Sequence, residues 1–139
     1  MTNLRPVTGR CQCGAVRFKV MAAPMELYHC HCSMCRRCHG TMFATYATVA
    51  TEHVVIEQGA DNLATFSSSP PVHRQFCKTC GCQLFIHDDT TPEKRWFMPG
   101  VCDWPDDMTT PPGRLRHIFV GSKVPWLPIG DGLEQKEVV

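Results

Sequence analysis

Two short cysteine turns stand far apart in the chain: Cys11-Gln12-Cys13-Gly14 and Cys77-Lys78-Thr79-Cys80-Gly81. Each offers two thiols, and a structural zinc ion takes four soft ligands at tetrahedral directions. A glycine after the last cysteine of each turn lets the backbone reverse tightly and aim N–H groups at sulfur. An ion held by Cys11, Cys13, Cys77 and Cys80 would staple the start of the domain to its middle and add folding free energy directly. The competing arrangement is a pair of disulfides, or buried thiols without a ligand.

A second cluster lies in His29-Cys30-His31-Cys32-Ser33-Met34-Cys35. On an extended strand the side-chain period is two, so Cys30 and Cys32 share one side while His29 and His31 face the other. A turn or short helix beginning at Ser33, a good N-cap type, brings Cys35 back toward them. Three thiolates with a vacant fourth position describe a reacting zinc rather than a purely structural one. Such a position takes water, hydroxide or a thiol, and a thiol bound there is held as the reactive thiolate. The histidines are then expected to support or pack against the site. Cys38, three residues beyond Cys35, is a candidate fourth ligand, and with it the site would be closed and structural. An iron–sulfur cluster over Cys30–Cys38 lacks the usual spacing. Cys82 and Cys102 read as small buried hydrophobes.

These turns need a scaffold, and the runs between them are short. Val16, Phe18 and Val20 alternate with Arg17 and Lys19, a half-buried strand. Less regular apolar runs of strand length lie at Met42–Val49, His53–Gln58, Val72–Cys77, Gln83–His87, Arg95–Val101 and His117–Val120. Eleven prolines and ten glycines interrupt anything longer. The pattern predicts a mainly β, antiparallel domain with one helical turn at Ser33–His39. Residues 1–9 read as a loose lead-in and Glu134–Val139 as a frayed end. Trp126 and Leu127 are expected to pin the proline-rich tail onto the body.

The 139 residues suit one domain. A net charge of +1 gives no electrostatic reason to expect nucleic acid or an anionic membrane as partner. No run approaches a membrane span, and the start has no apolar signal segment, so a cytoplasmic location is expected. Ten cysteines in a reducing compartment favour metal ligation over disulfides.

The order Cys11-x-Cys13-Gly14, His29-Cys30-x-Cys32-x-x-Cys35 and Phe76-Cys77-x-x-Cys80-Gly81 resembles the glutathione-dependent formaldehyde-activating enzyme family, whose domain is shared with the centromere protein V group. The ending His117-Ile-Phe-Val-Gly-Ser-Lys-Val-Pro-Trp126 is similar to bacterial members. The resemblance covers residues 8–130 and leaves 131–139 as a tail. It implies an Mss4-like β-tent fold stapled by zinc, with a structural ion on Cys11, Cys13, Cys77 and Cys80 and a catalytic ion on Cys30, Cys32 and Cys35. Two zinc ions per chain are implied, the second open to partial occupancy. The implied reaction is a carbon–sulfur lyase step joining glutathione to formaldehyde as S-hydroxymethylglutathione. Arg36 and Arg37 are candidates for the glutathione carboxylates, and His39 or His31 for a proton shuttle. The alternatives are a zinc-stabilised binding module without catalysis, or the same chemistry on another thiol or aldehyde. Oligomeric state is not legible.

Overall fold

The computed structural model describes residues 6–139. Among these residues, ten strands form two sheets and one α-helix joins the third strand to the fourth. The smaller sheet has the order β1–β2–β5, made of Val7–Arg10, Arg17–Val20 and Val54–Gln58, all antiparallel. The larger uses β3 (Glu26–Cys30), β4 (Ala44–Ala50), β6 (Leu63–Ser69), β7 (Val72–Cys77), β8 (Gln83–Asp88), β9 (Lys94–Phe97) and β10 (Arg114–Ile118). Its order is β10–β3–β4–β9–β8–β7–β6. Every pair is antiparallel except β10 with β3, which is parallel. The fold is mainly β as expected, with this one parallel edge added.

The alternation in β2 does what its pattern predicts: Val16, Phe18 and Val20 are all buried. Phe18 meets Phe85 of β8 edge-on at 4.8 Å and Phe97 of β9 at 6.5 Å. Burying a side chain of this size stabilises the fold by about 2–3 kcal/mol, and this contact joins the two sheets. With Leu27, Ala47 and Val49 it builds one core, which also takes in Cys11 and Cys77. Tyr46, Ile86, Met98 and Ile118 form a second core with Cys30 and Cys35. Tyr46 and Ala47 of β4, Phe85 and Ile86 of β8, and Trp96 and Phe97 of β9 go to opposite cores, so each core covers one face of the larger sheet.

The strand runs are found with shifted ends. The run Arg95–Val101 stops as a strand at Phe97, and Pro99–Val101 is a 3-10 turn. The last run begins at Arg114 and ends at Ile118. Two strands, β1 and β6, were not expected, and β3 begins at Glu26, ahead of the stretch at His29–Cys32 that was read as extended. β1 lies where a loose lead-in was read, because Gly9 suits a strand packed under a ring: a Cβ there would come within 2.3 Å of Phe18. β3 is covered on both faces and β6 is polar, so neither carries a clean alternation.

The helix α1 spans Ser33–His39 as predicted, but its N-cap is Cys32 rather than Ser33. The Cys32 Sγ accepts the Cys35 N–H at 3.3 Å, so a single thiol both caps the helix and faces its neighbours. The C-terminal residues are not frayed. The amides of His117 and Phe119 donate to Glu134 and Val138, and those of Val120 and Lys136 donate to Lys136 and His117. Backbone pairing of this kind leaves no side-chain pattern to read. Trp126 does not pin the tail: it is 69% exposed, and Leu127 is half-buried. No described helix is long and apolar enough to cross a membrane.

Candidate metal centres

The first turn forms at the end of β1 and the second at the end of β7. Gly14 donates to Cys11 O at 3.1 Å and Gly81 to Cys77 O at 2.8 Å. Both glycines are left-handed, at φ 79° and 77°, where a side chain would be strained. The four sulfurs of Cys11, Cys13, Cys77 and Cys80 lie within 4.8 Å of one another. Cys11 to Cys13 is 3.6 Å and Cys13 to Cys77 is 3.7 Å. Thiolates about 2.3 Å from a tetrahedral ion sit about 3.8 Å apart, so the group fits zinc, and all ten cysteines are free of disulfides. Supporting donors are in place: Val16 N–H to Cys11 Sγ and Asn62 Nδ2 to Cys77 Sγ, each 3.3 Å. Backbone N–H groups of Cys13 and Cys82 lower the Cys80 thiol to about 6. Cys77 is also lowered, first by the Cys80 N–H. Cys13 moves the other way, to about 11, as burial and three neighbouring thiols outweigh the Ala15 N–H.

Cys30, Cys32 and Cys35 form the second group, brought together by the end of β3 and the first turn of α1. Cys38 is not part of it and lines a neighbouring pocket with Arg37, Phe66, Arg74 and Phe76. Cys82 and Cys102 are half-buried outside both groups. Burial pushes the Cys102 thiol up to about 12.

His29 and His31 lie away from the thiols, as the strand period requires. His29 Nδ1 pairs with Thr45 Oγ1 at 2.8 Å, and the fully buried His31 pairs with His117 at 2.8 Å. His117 in turn reaches Asp131 at 2.7 Å. His31 is thus committed to a packed network on the opposite face from the sulfurs. Arg36 donates to the His31 carbonyl, while Arg37 is exposed beside the Cys38 pocket.

Two residues that the sequence reading passed over touch the second group. Arg74, only 4% exposed, points Nη2 at Cys35 Sγ (3.6 Å), Nη1 at Tyr46 OH (3.1 Å) and Nε at Ser68 Oγ (2.8 Å). Tyr46 OH also lies 3.3 Å from His39 Nε2. Hydrogen bonds from Cys30 and Cys32, then from Tyr46 and Arg74, hold the Cys35 thiol below its ordinary value; Cys30 is pushed up by the same sharing with Cys32 and Cys35. Burial raises Tyr46 and lowers His39, so both stay neutral near neutral pH. An arginine inside the apolar run Val72–Cys77 was the one signal available for this contact.

Cys35 and Tyr46 open onto a cleft of about 290 Å³ walled by Tyr28, Val72, Ile86, Trp96 and Phe119. Phe119 is the one described non-glycine residue with positive φ, at 56°. A left-handed aromatic residue costs about 1–2 kcal/mol. Here its N–H is tied to Val138 O at 3.0 Å, and the strain holds its ring at the wall of the cleft.

Residues 6–122 match the family model described as glutathione-dependent formaldehyde-activating enzyme. A Halomonas elongata protein named for that activity is 28% identical over 87% of this chain and 79% of its own length. A Schizosaccharomyces pombe protein named only as an uncharacterized lyase is 30% identical over 56% of this chain and 55% of its own. A Rhodobacter sphaeroides protein of known crystal structure superposes with a TM-score of 0.56 at 26% identity, covering 72% of this chain and 91% of that one.

Proposed function

We propose, for a chain that belongs to the glutathione-dependent formaldehyde-activating enzyme family, a zinc-dependent carbon–sulfur lyase that joins glutathione to formaldehyde as S-hydroxymethylglutathione. The observation that carries this reading is the three-thiol group with Cys35 opening onto a cleft. Cys30, Cys32 and Cys35 would hold the reacting zinc, and Cys11, Cys13, Cys77 and Cys80 the structural one. Zinc in the first of these sites would keep an incoming thiol ionised at neutral pH.

The chain's own groups account for the remainder. Arg74, buried beside Cys35, offsets negative charge gathered on the sulfurs. In the addition the thiolate sulfur bonds to the aldehyde carbon and the carbonyl π pair moves to oxygen. That oxygen then takes up the proton the thiol gave up, so no oxidant or reductant enters. Tyr46 OH lies on the cleft wall and retains its proton at neutral pH, with neutral His39 behind it to pass a proton on. His39 thereby fills the shuttle role better than His31, which is enclosed on the other face. Exchange NMR with labelled formaldehyde and glutathione tests the reading. Wild type should accelerate hydroxymethyl exchange above the buffer rate and Cys32→Ser should not; equal rates in wild type and buffer remove it.

One observation favours the same chemistry on another substrate. The cleft walls are mostly aromatic and aliphatic, and their one side-chain charge is the acidic Asp88. Such walls suit an apolar thiol or aldehyde better than a tripeptide with two carboxylates. A higher kcat/KM for an uncharged alkyl thiol than for glutathione would select this reading.

A further inference from the structure

On the face of the larger sheet that carries Phe85, away from the second thiol group, two histidines and an aspartate converge. His73 of β7 and His87 of β8 are directly paired across the strands, and their rings stack at 4.8 Å between centroids and 29° between planes. Asp89 follows β8 and places Oδ2 2.8 Å from His73 Nε2. One ligand atom from each residue lies within 4.8 Å of the other two. We propose that His73, His87 and Asp89 form a third metal site, which takes a divalent transition ion of the zinc class.

The donor chemistry suits that class. Two imidazoles and one carboxylate are a common ligand set for zinc and its neighbours, and three protein ligands leave a position for water. The supporting contact is also present. Ser67 Oγ lies 2.8 Å from His73 Nδ1. By accepting the Nδ1 proton, Ser67 leaves the Nε2 lone pair free for the ion, as oriented metal-bound histidines require. The His73–Asp89 contact would then be replaced by two metal bonds. His87 Nδ1 is buried and has no hydrogen-bond partner among the described residues. A polar ring held without a partner is costly unless its orientation serves another purpose. Arg95 lines the same pocket as His87 and Asp89, with its guanidinium over the Phe85 ring at 5.0 Å and donating to Gln75. Burial first, and then this charge, oppose protonation of His87 and leave the imidazole in the form that can bind an ion. The cross-strand pair fixes the rings, so binding needs only a small adjustment of Asp89, which is exposed.

The site is independent of the thiol groups and is tested on the zinc-loaded protein. Zinc per chain is counted by elemental analysis after equilibration with micromolar free zinc, for wild type, His87→Gln, Asp89→Asn and Ser67→Ala. Wild type should take a third ion that His87→Gln and Asp89→Asn do not take. Ser67→Ala should hold it about tenfold more weakly. Added zinc should raise the melting midpoint of wild type more than that of His87→Gln, with both folded by circular dichroism. The proposal is overturned if wild type stops at two ions. It is equally overturned if both ligand variants keep the third, or if Cys38→Ala loses it, which would place that ion on spare thiols.

Discussion

Replacing Arg74 with alanine removes three hydrogen bonds at once, to Cys35, Tyr46 and Ser68. The losses are unequal. Ser68 is half-buried and can turn to water, and Tyr46 OH keeps His39 as a partner. Cys35 is buried and loses the cation beside it. A hydrogen bond involving a charged group is worth about 1.5–3 kcal/mol and an ordinary one about 1 kcal/mol. Arg74→Ala should therefore destabilise the zinc-loaded protein by about 3–4 kcal/mol, lowering the urea midpoint by roughly 2 M at a slope of about 1–3 kcal/mol/M. Tyr46→Phe alone should cost about 1–2 kcal/mol. Because the two side chains touch, the double variant should lose less than the sum, with a coupling of about 1 kcal/mol. Urea denaturation of the four proteins completes the cycle, and exchange NMR on the same samples should show activity falling in every variant. Additivity within about 0.3 kcal/mol would refute the claim that Arg74 and Tyr46 act as a connected pair beside Cys35.

Three further outcomes follow from other parts of the molecule. Cys80→Ser should lose one zinc and unfold at lower temperature, whereas Cys82→Ser, outside both thiol groups, should keep both ions; elemental analysis with a melting curve separates them. Glu26 accepts from Tyr28 and from Arg116 (2.9 Å), and these bonds, Tyr28 first, lower its carboxyl below the usual value. Its contribution is therefore present above the unfolded value of about 4.5 and is lost as pH falls through the lower folded value. Glu26→Gln should then cost about 1 kcal/mol at pH 7, and the gap from wild type should close in acid. Gly9→Ala drives a methyl to within 2.3 Å of the Phe18 ring and should destabilise by about 1–3 kcal/mol in urea melts.

The thiol motifs were legible because within each turn the sulfurs are two or three residues apart, so the local backbone nearly fixes that part of the geometry; the meeting of the two turns, 64 residues apart between Cys13 and Cys77, was inferred from their need for four ligands together. The helix Ser33–His39 was legible for the same local reason. Its cap was misassigned because Ser33 has the commoner capping side chain, while Cys32 had already been assigned to the metal. Arg74, Tyr46 and Cys35 come from three separate elements, and nothing in a single sequence marks an arginine as facing a thiol 39 positions away. The strand β3 was read only at its cysteine end, because both its faces are covered from Glu26 on, which erases the alternation that betrays β2. The C-terminal pairing with β10 rests on backbone groups, which every residue carries alike.

The two cores give a physical reason for keeping two thiol groups apart on the proposed reading. Cys11 and Cys77 are wholly buried within the core that joins the two sheets, so an ion there contributes wherever Phe18, Phe85 and Phe97 contribute. Cys30 and Cys35 belong to the core on the other face, which opens into a cleft. A site that must admit a thiol and release a product cannot also be tightly closed, so it gains little from carrying the fold. With stability anchored on the far side of the sheet, Cys35 can remain beside a cleft with a strained Phe119 at its wall and a buried arginine at its back. Exchange of the ion at Cys30, Cys32 and Cys35 should then leave the β sheets standing, while loss of the ion at Cys11, Cys13, Cys77 and Cys80 should not.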